Sequence, residues 1–198
     1  MSWTDEDREA LIAFTNAAAQ VDCDDIKVKE QIKKVLLNNR FIVHVLNNDE
    51  LEENDAEPDE YFGVNILPWY MVPSTQTSTK NFLCYEINYK ELDRYNSSVK
   101  ILQIVFHILC HQLDIIDEDT GIARHDLLAA LIQDQFNYTN YFGAKIQLVS
   151  DVASTTDYEY AARTLTFEQI TDNNLVKTRS GNPKLSNKDI VAFGKDQG

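Results

Sequence analysis

Two hydrophobic periods alternate along this chain, and each change of period marks an element. In "TDEDREALIAFTNAAAQ", Thr4 is an N-cap candidate with Asp7 three residues on, and Leu11, Ile12 and Phe14 follow, which predicts a helix. "CDDIKVKEQIKKVLLNNR" repeats the signal, with Ile26, Val28, Ile32, Val35, Leu36 and Leu37 at approximately helical spacing and Asn38-Asn39 at its end. Together they predict an N-terminal helical region over residues 4–39. "RFIVHVL", directly after it, is dense in β-branched residues and predicts a short strand.

A period of two takes over further on. "NFLCYEINYKELD" sets Phe82, Cys84, Glu86 and Asn88 against Leu83, Tyr85, Ile87 and Tyr89, and "SSVKILQIVFHILCHQLD" is a long β-branched run. A polar loop, "IIDEDTGIA", leads to the helical pattern "RHDLLAALIQDQFNYTNY", whose stripe is Leu127, Leu128, Leu131, Ile132 and Phe136. Two more strands follow in "GAKIQLVSDV" and "YEYAARTLTFEQIT". Strand pairs separated by a helix predict an α+β fold, an antiparallel β-sheet packed by helices. At 198 residues the chain suits one domain, here residues 1–172, with an extended tail over residues 173–198.

Residues 47–80 break both periods. This inserted stretch holds the acidic run "DELEENDAEPDE", the apolar patch "YFGVNILPWYMVP" and "STQTSTK", and it is too long for a passive connection. It reads as a functional arm or as a flexible insertion. Trp69, Tyr70 and Met71, beside Pro68 and Pro73, read equally as a hook for a neighbour or as a patch folded onto the domain's own sheet.

Charge changes the picture mainly through its distribution. The net charge is −14, and Asp49–Glu60 alone carries eight acids and no base. The tail has Lys177, Arg179, Lys184, Lys188 and Lys195 against Asp189 and Asp196. An acidic arm and a basic end suit head-to-tail contacts between copies, with solvated charge runs as the plainer alternative. So acidic a chain argues against sequence-independent nucleic-acid binding. Gln103 and His107 interrupt the apolar run from Ile101 to Cys110, which is too short and polar to span a membrane. The acidic start "MSWTDEDREA" is unlike a secretory signal, which predicts a protein made in the cytoplasm. Cys23, Cys84 and Cys110 are odd in number and form no CxxC pair, which predicts reduced thiols packed as small hydrophobes.

The densest candidate chemistry is "FHILCHQLDIIDEDTGIARHD", which holds three of the four histidines. A zinc-protease helix needs Glu directly after the first His of HxxxH, and Ile108 stands there. On a strand, His107 and His111 share a face about 13 Å apart, too far for one ion. Cys110 falls on the opposite face among Leu102, Ile104, Phe106 and Ile108, which predicts an inert thiol. "DIIDEDTG" misses the calcium-loop spacing, and reads as a turn in which Thr120 or Asp119 supplies capping and Gly121 an unusual backbone. Neither phosphate-loop nor nucleophile-elbow motifs occur. No catalytic, cofactor-binding or metal-binding residue is assigned, and the expectation is a non-enzyme. Arg124 and His125 are candidates to face a partner, with structural capping the competing reading.

The series "VKILQIVFHILCH", "TGIARHDLLAALIQDQFN", "FGAKIQLVSDV" and "YAARTLTFEQ" resembles the core of tailed-bacteriophage tail-terminator and neck (head-to-tail joining) proteins. The resemblance implies a structural virion component at the head-tail junction. It would form a ring, a hexamer in the terminator type, between head connector and tail tube, and DNA would pass through without sequence-specific binding. Candidate contact residues are Asp49, Glu50, Glu52, Glu53, Trp69, Tyr70, Arg124, His125, Lys177 and Arg179. Two rivals are a metal-dependent enzyme using His107 and His111, and an acidic DNA mimic acting through Asp49–Glu60.

Overall fold

The computed structural model describes residues 6, 8–13, 24–71, 80–91, 99–155 and 159–172. Residues 8–13 are helical, inside the first predicted helix. Helix α1 (Asp24–Asn38) buries Val28, Ile32, Val35, Leu36 and Leu37, five of the six stripe residues read from the sequence. Cys23, residues 72–79 and the tail over residues 173–198 lie outside the described residues.

"RFIVHVL" is helical, not a strand. Helix α2 (Arg40–Val45) starts at Asn39, whose side chain accepts from the backbone N–H of Phe41 and of Ile42. Ile42, Val43, Val45 and Leu46 are buried while Phe41 and His44 are exposed, a division that fits a helix and splits across the faces of a strand. Burial on one side, together with the Asn39 cap, outweighs the strand preference of β-branched residues.

The inserted stretch folds onto the domain as far as it is described. Helix α3 (Asp49–Glu52), a 3-10 turn (Pro58–Tyr61) and strand β1 (Ile66–Leu67) follow in order, and Tyr61, Ile66 and Leu67 are buried. The stretch read as a functional arm or a flexible insertion is thus, over residues 47–71, packed on the domain.

Four long elements of the sheet match their predicted segments: β2 (Phe82–Glu91), β3 (Val99–His111), β4 (Gln147–Thr155) and β5 (Tyr160–Asp172). The order across the sheet is β1-β2-β3-β5-β4, antiparallel throughout except that β1 pairs with β2 in parallel. Helix α4 (Arg124–Phe136) connects β3 to β4 and lies on one face. There Leu128, Ile132 and Phe136 meet Ile104, Phe106, Leu165 and Phe167, and α1 and α2 complete the same core. Cys110 belongs to this core, and burial raises its thiol pKa. The opposite face has a smaller cluster of Leu67, Phe82, Cys84, Leu109, Tyr160 and Ala162 at one end. Burial pushes the Cys84 thiol up to about 11, so both described cysteines are protonated hydrophobes near neutral pH. Beyond that cluster the second face is mixed, with Lys90 and Gln103 both bonded to Glu168 at 2.5 and 2.8 Å and Ile170 exposed beside them.

Candidate functional site

The reversal from β3 into α4 ties four parts of the chain together through buried polar groups. Arg124, only 4% exposed, donates from Nε to Asp114 Oδ1 (3.2 Å) and from Nη1 to Asp117 Oδ1 (2.9 Å) and the Val45 carbonyl (3.4 Å). Asp114 Oδ2 in turn accepts from Asn47 (2.9 Å) and Asn81 (2.8 Å). Asn81 also donates to the Leu46 carbonyl and accepts the His111 backbone N–H. Asn48 donates to Asn65 and Asn65 to the Asn81 carbonyl, which locks the excursion to the start of β2. A buried guanidinium needs such partners, because removing charge from water is costly unless it is paired and hydrogen-bonded.

This placement corrects the expectation that Arg124 faces a partner. Its Nε and Nη1 donors are drawn to the two carboxylates and to the Asp114 and Val45 carbonyls beneath the loop. His125 also turns largely inward, with Nε2 3.4 Å from Asp126 Oδ1. The capping expected of Thr120 or Asp119 is corrected too. The residue before α4 is Ala123, which makes no side-chain cap, while Thr120 donates through N–H and hydroxyl to Asp117 Oδ2 and so closes the preceding turn. The Thr120 hydroxyl, then its N–H and Arg124, hold the Asp117 carboxyl below the usual range. Gly121, at φ +69°, supplies the left-handed backbone that turn needs, as anticipated.

Above this buried cluster the loop presents an apolar and acidic surface. Leu113 is 86% exposed, and Ile116 and Ile122 are about half exposed. The loop's two arms are pinned together by the Ile116–Ala123 bridge and by the Asp117 N–H bonded to the Ile122 carbonyl. Glu118 and Asp119 are exposed at its tip. His44 links this tip to the acidic excursion, with Nε2 3.3 Å from Asp119 Oδ2 and Nδ1 4.0 Å from Glu52 Oε1. Exposed Phe41 lies one turn before His44 on the same side of α2. Two acidic runs separated by some sixty residues thus share one end of the molecule. Asp49, Glu50, Glu52 and Glu53 are on or next to α3, with Glu50 held at 2.8 Å by Lys80.

The other nominated residues lie elsewhere. Trp69 is half exposed, and Tyr70 packs its ring on His107 with centroids 4.4 Å apart. Of the two readings of that patch, the folded-on-own-sheet one describes Tyr70. Lys177 and Arg179 lie outside the described residues. Sequence reading missed His44, Asn81 and the exposed trio on the loop. A buried Asn or an exposed Leu has no periodic signature, so no signal in the chain alone marks them.

His107 and His111 are four residues apart on β3, where they do not converge. His111 Nδ1 accepts the Leu113 N–H, and His107 has Glu86 at 3.6 Å and Thr164 at 3.3 Å. Among the described residues no group of three His, Cys, Asp or Glu side chains is placed to hold a metal ion. Burial holds the His107 pKa below its ordinary value, partly offset by Glu86. The unfolded chain therefore binds this proton more readily, and stability present above the ordinary histidine value of 6.5 is lost as pH falls through and below it. An NMR titration should place the His107 midpoint below 6.5, and His107→Gln should flatten that part of the stability profile.

The YomW family model matches residues 30–169, most of the chain. The chain belongs to the YomW family. That family derives from phage genomes, and the protein is phage-associated, which agrees with the coarser half of the resemblance read from the sequence. No curated protein matches the chain. The YomW match spans α2, α3 and the β3–α4 loop, so the apolar and acidic surface lies inside the family region and residues 173–198 lie outside it. Among the described residues of this YomW chain, no helix is long and apolar enough to cross a membrane.

Proposed function

We propose that this chain is a structural virion protein that forms a ring at the head-tail junction and joins the head connector to the tail tube. It is a tail-terminator or neck protein, made in the host cytoplasm, acting through complementary surfaces and not through catalysis. The observation that carries this reading is the exposed surface of Leu113, Ile116 and Ile122 beside Glu118 and Asp119 on a phage-family protein. Exposed apolar side chains held on a fixed scaffold favour a protein partner. The strand β4, at the sheet's edge with residues 149–154 exposed, gives a second face that suits association. A net charge of −14 would keep a ring lumen repulsive to DNA, so that DNA slides without adhering.

Mass spectrometry of purified particles tests this directly. The chain should be present at a ring-sized copy number, and particles from a deletion strain should separate into filled heads and unattached tails. Intact, infectious particles from that strain would overturn the proposal.

A further inference from the structure

The exposed loop surface lies at one end of the sheet, and β5 ends, at Asp172, at the other. We propose that Leu113, Ile116 and Ile122, rimmed by Glu118 and Asp119, form the docking surface for residues 173–179 of a second copy of this chain. The inference rests on the ring reading only in that the contact would repeat around a closed assembly.

Charge supports the match. The rim is acidic, and the described excursion at the same end adds Glu50, Glu52 and Glu53. Residues 173–179, "NNLVKTR", carry Lys177 and Arg179 and no acid, with Leu175 and Val176 beside them. An alternation of bases and apolar residues is what an apolar surface with an acidic rim can bind.

The topology favours a second copy over the chain's own tail. Strands β3 and β5 pair along their whole length, His111 opposite Tyr160 and Val99 opposite Asp172. The tail therefore leaves Asp172 at the far end of the sheet from the loop, about 40 Å away at about 3.3 Å per residue. Lys177 and Arg179 follow Asp172 by five and seven residues, a reach of at most about 25 Å even when fully extended. These two bases fall short of their own molecule's loop. A neighbour placed head to tail presents its loop where the tail emerges, and such a heterologous contact closes into a ring when its rotation allows.

Charge reversal in the full chain tests the contact by analytical ultracentrifugation. One variant carries Glu118→Lys and Asp119→Lys, and the other Lys177→Glu and Arg179→Glu. Glu118 and Asp119 adjoin Asp117 in the chain but are exposed, Lys177 and Arg179 lie beyond the described residues, and thermal melting checks the folding of each variant. The wild type should self-associate, and either variant alone should weaken association about tenfold or more. An equimolar mixture of the two should regain it, because reversed tails then meet reversed loops between molecules. Leu113→Ser should weaken association without lowering the melting temperature. A monomeric wild type, two variants that associate normally, or a mixture that gains nothing would each overturn the contact. Its failure leaves the particle experiment untouched: a chain found in virions whose association ignores these charges keeps its place in the ring and loses only this surface.

Discussion

Replacing Arg124 with methionine is expected to cost about 3–5 kcal/mol of stability, because it strands a buried charge network. The guanidinium is the common partner of Asp114 and Asp117, and the latter is 3% exposed. Methionine fills much of the volume but offers no donor, so two carboxylates and the Val45 carbonyl lose bonds that water cannot replace at that depth. Chemical denaturation should show the loss, and the melting temperature should fall at about 2–4 °C per kcal/mol for a domain of this size. The pH dependence follows in sign. Asp117 has a depressed pKa in the fold, so the stability it gives is present above the ordinary carboxylate value of 3.8 and is lost as pH falls through its depressed value. The gap between wild type and Arg124→Met should therefore narrow in acid. A double-mutant cycle with Asp117→Leu should show coupling, since removing both charges relieves the stranded one. Additive losses would show that the pair does not act as a unit.

Phe106→Ala is the second large effect, expected to cost about 3–5 kcal/mol through the cavity it leaves. Phe106 is fully buried at the middle of β3, between Tyr85 and Leu165 across the strands. Its ring lies 5.0 Å from Phe136 of α4 and 5.8 Å from Phe167 of β5. It therefore joins helix to sheet as well as strand to strand. The neighbouring Val105 points to the second face, half buried between Glu86 and Thr166. Val105→Ala should cost much less, so equal losses at the two positions would contradict the assignment of faces. Denaturant midpoints for the two variants decide it.

The reading of strands and helices from the sequence succeeded where burial was periodic. Every residue from Leu102 to Cys110 that faces the core was placed there by alternation alone, and the α4 stripe was found by its spacing of three and four. "RFIVHVL" failed because composition and pattern disagreed. Its β-branched residues suggested a strand, while the Asn39 cap and a one-sided burial pattern, visible only beside α1 and α4, made it a helix. The stretch over residues 47–80 reads as an arm or an insertion because neither period runs through it, and its buried Asn48 and Asn65 carry no periodic signal. Their partners, Asn81 and one another, are remote in the chain.

The candidate surface divides in the same way. From "IIDEDTGIARHD" alone one could read a turn with a glycine in an unusual conformation, and the helix that follows it. Whether Arg124 pointed outward depended on where Asp114 and Asp117 stood, and a one-dimensional pattern does not carry that. The meeting of Glu52 with Asp119 through His44 joins residues far apart in the chain, as does the gathering of acids around an exposed Leu113. The sequence by itself determined the four long strands and the helices α1 and α4, because burial on one face imposes a local period. Only the tertiary structure decided which charges are buried and which are offered to a partner, because that depends on groups brought together by folding and not by spacing.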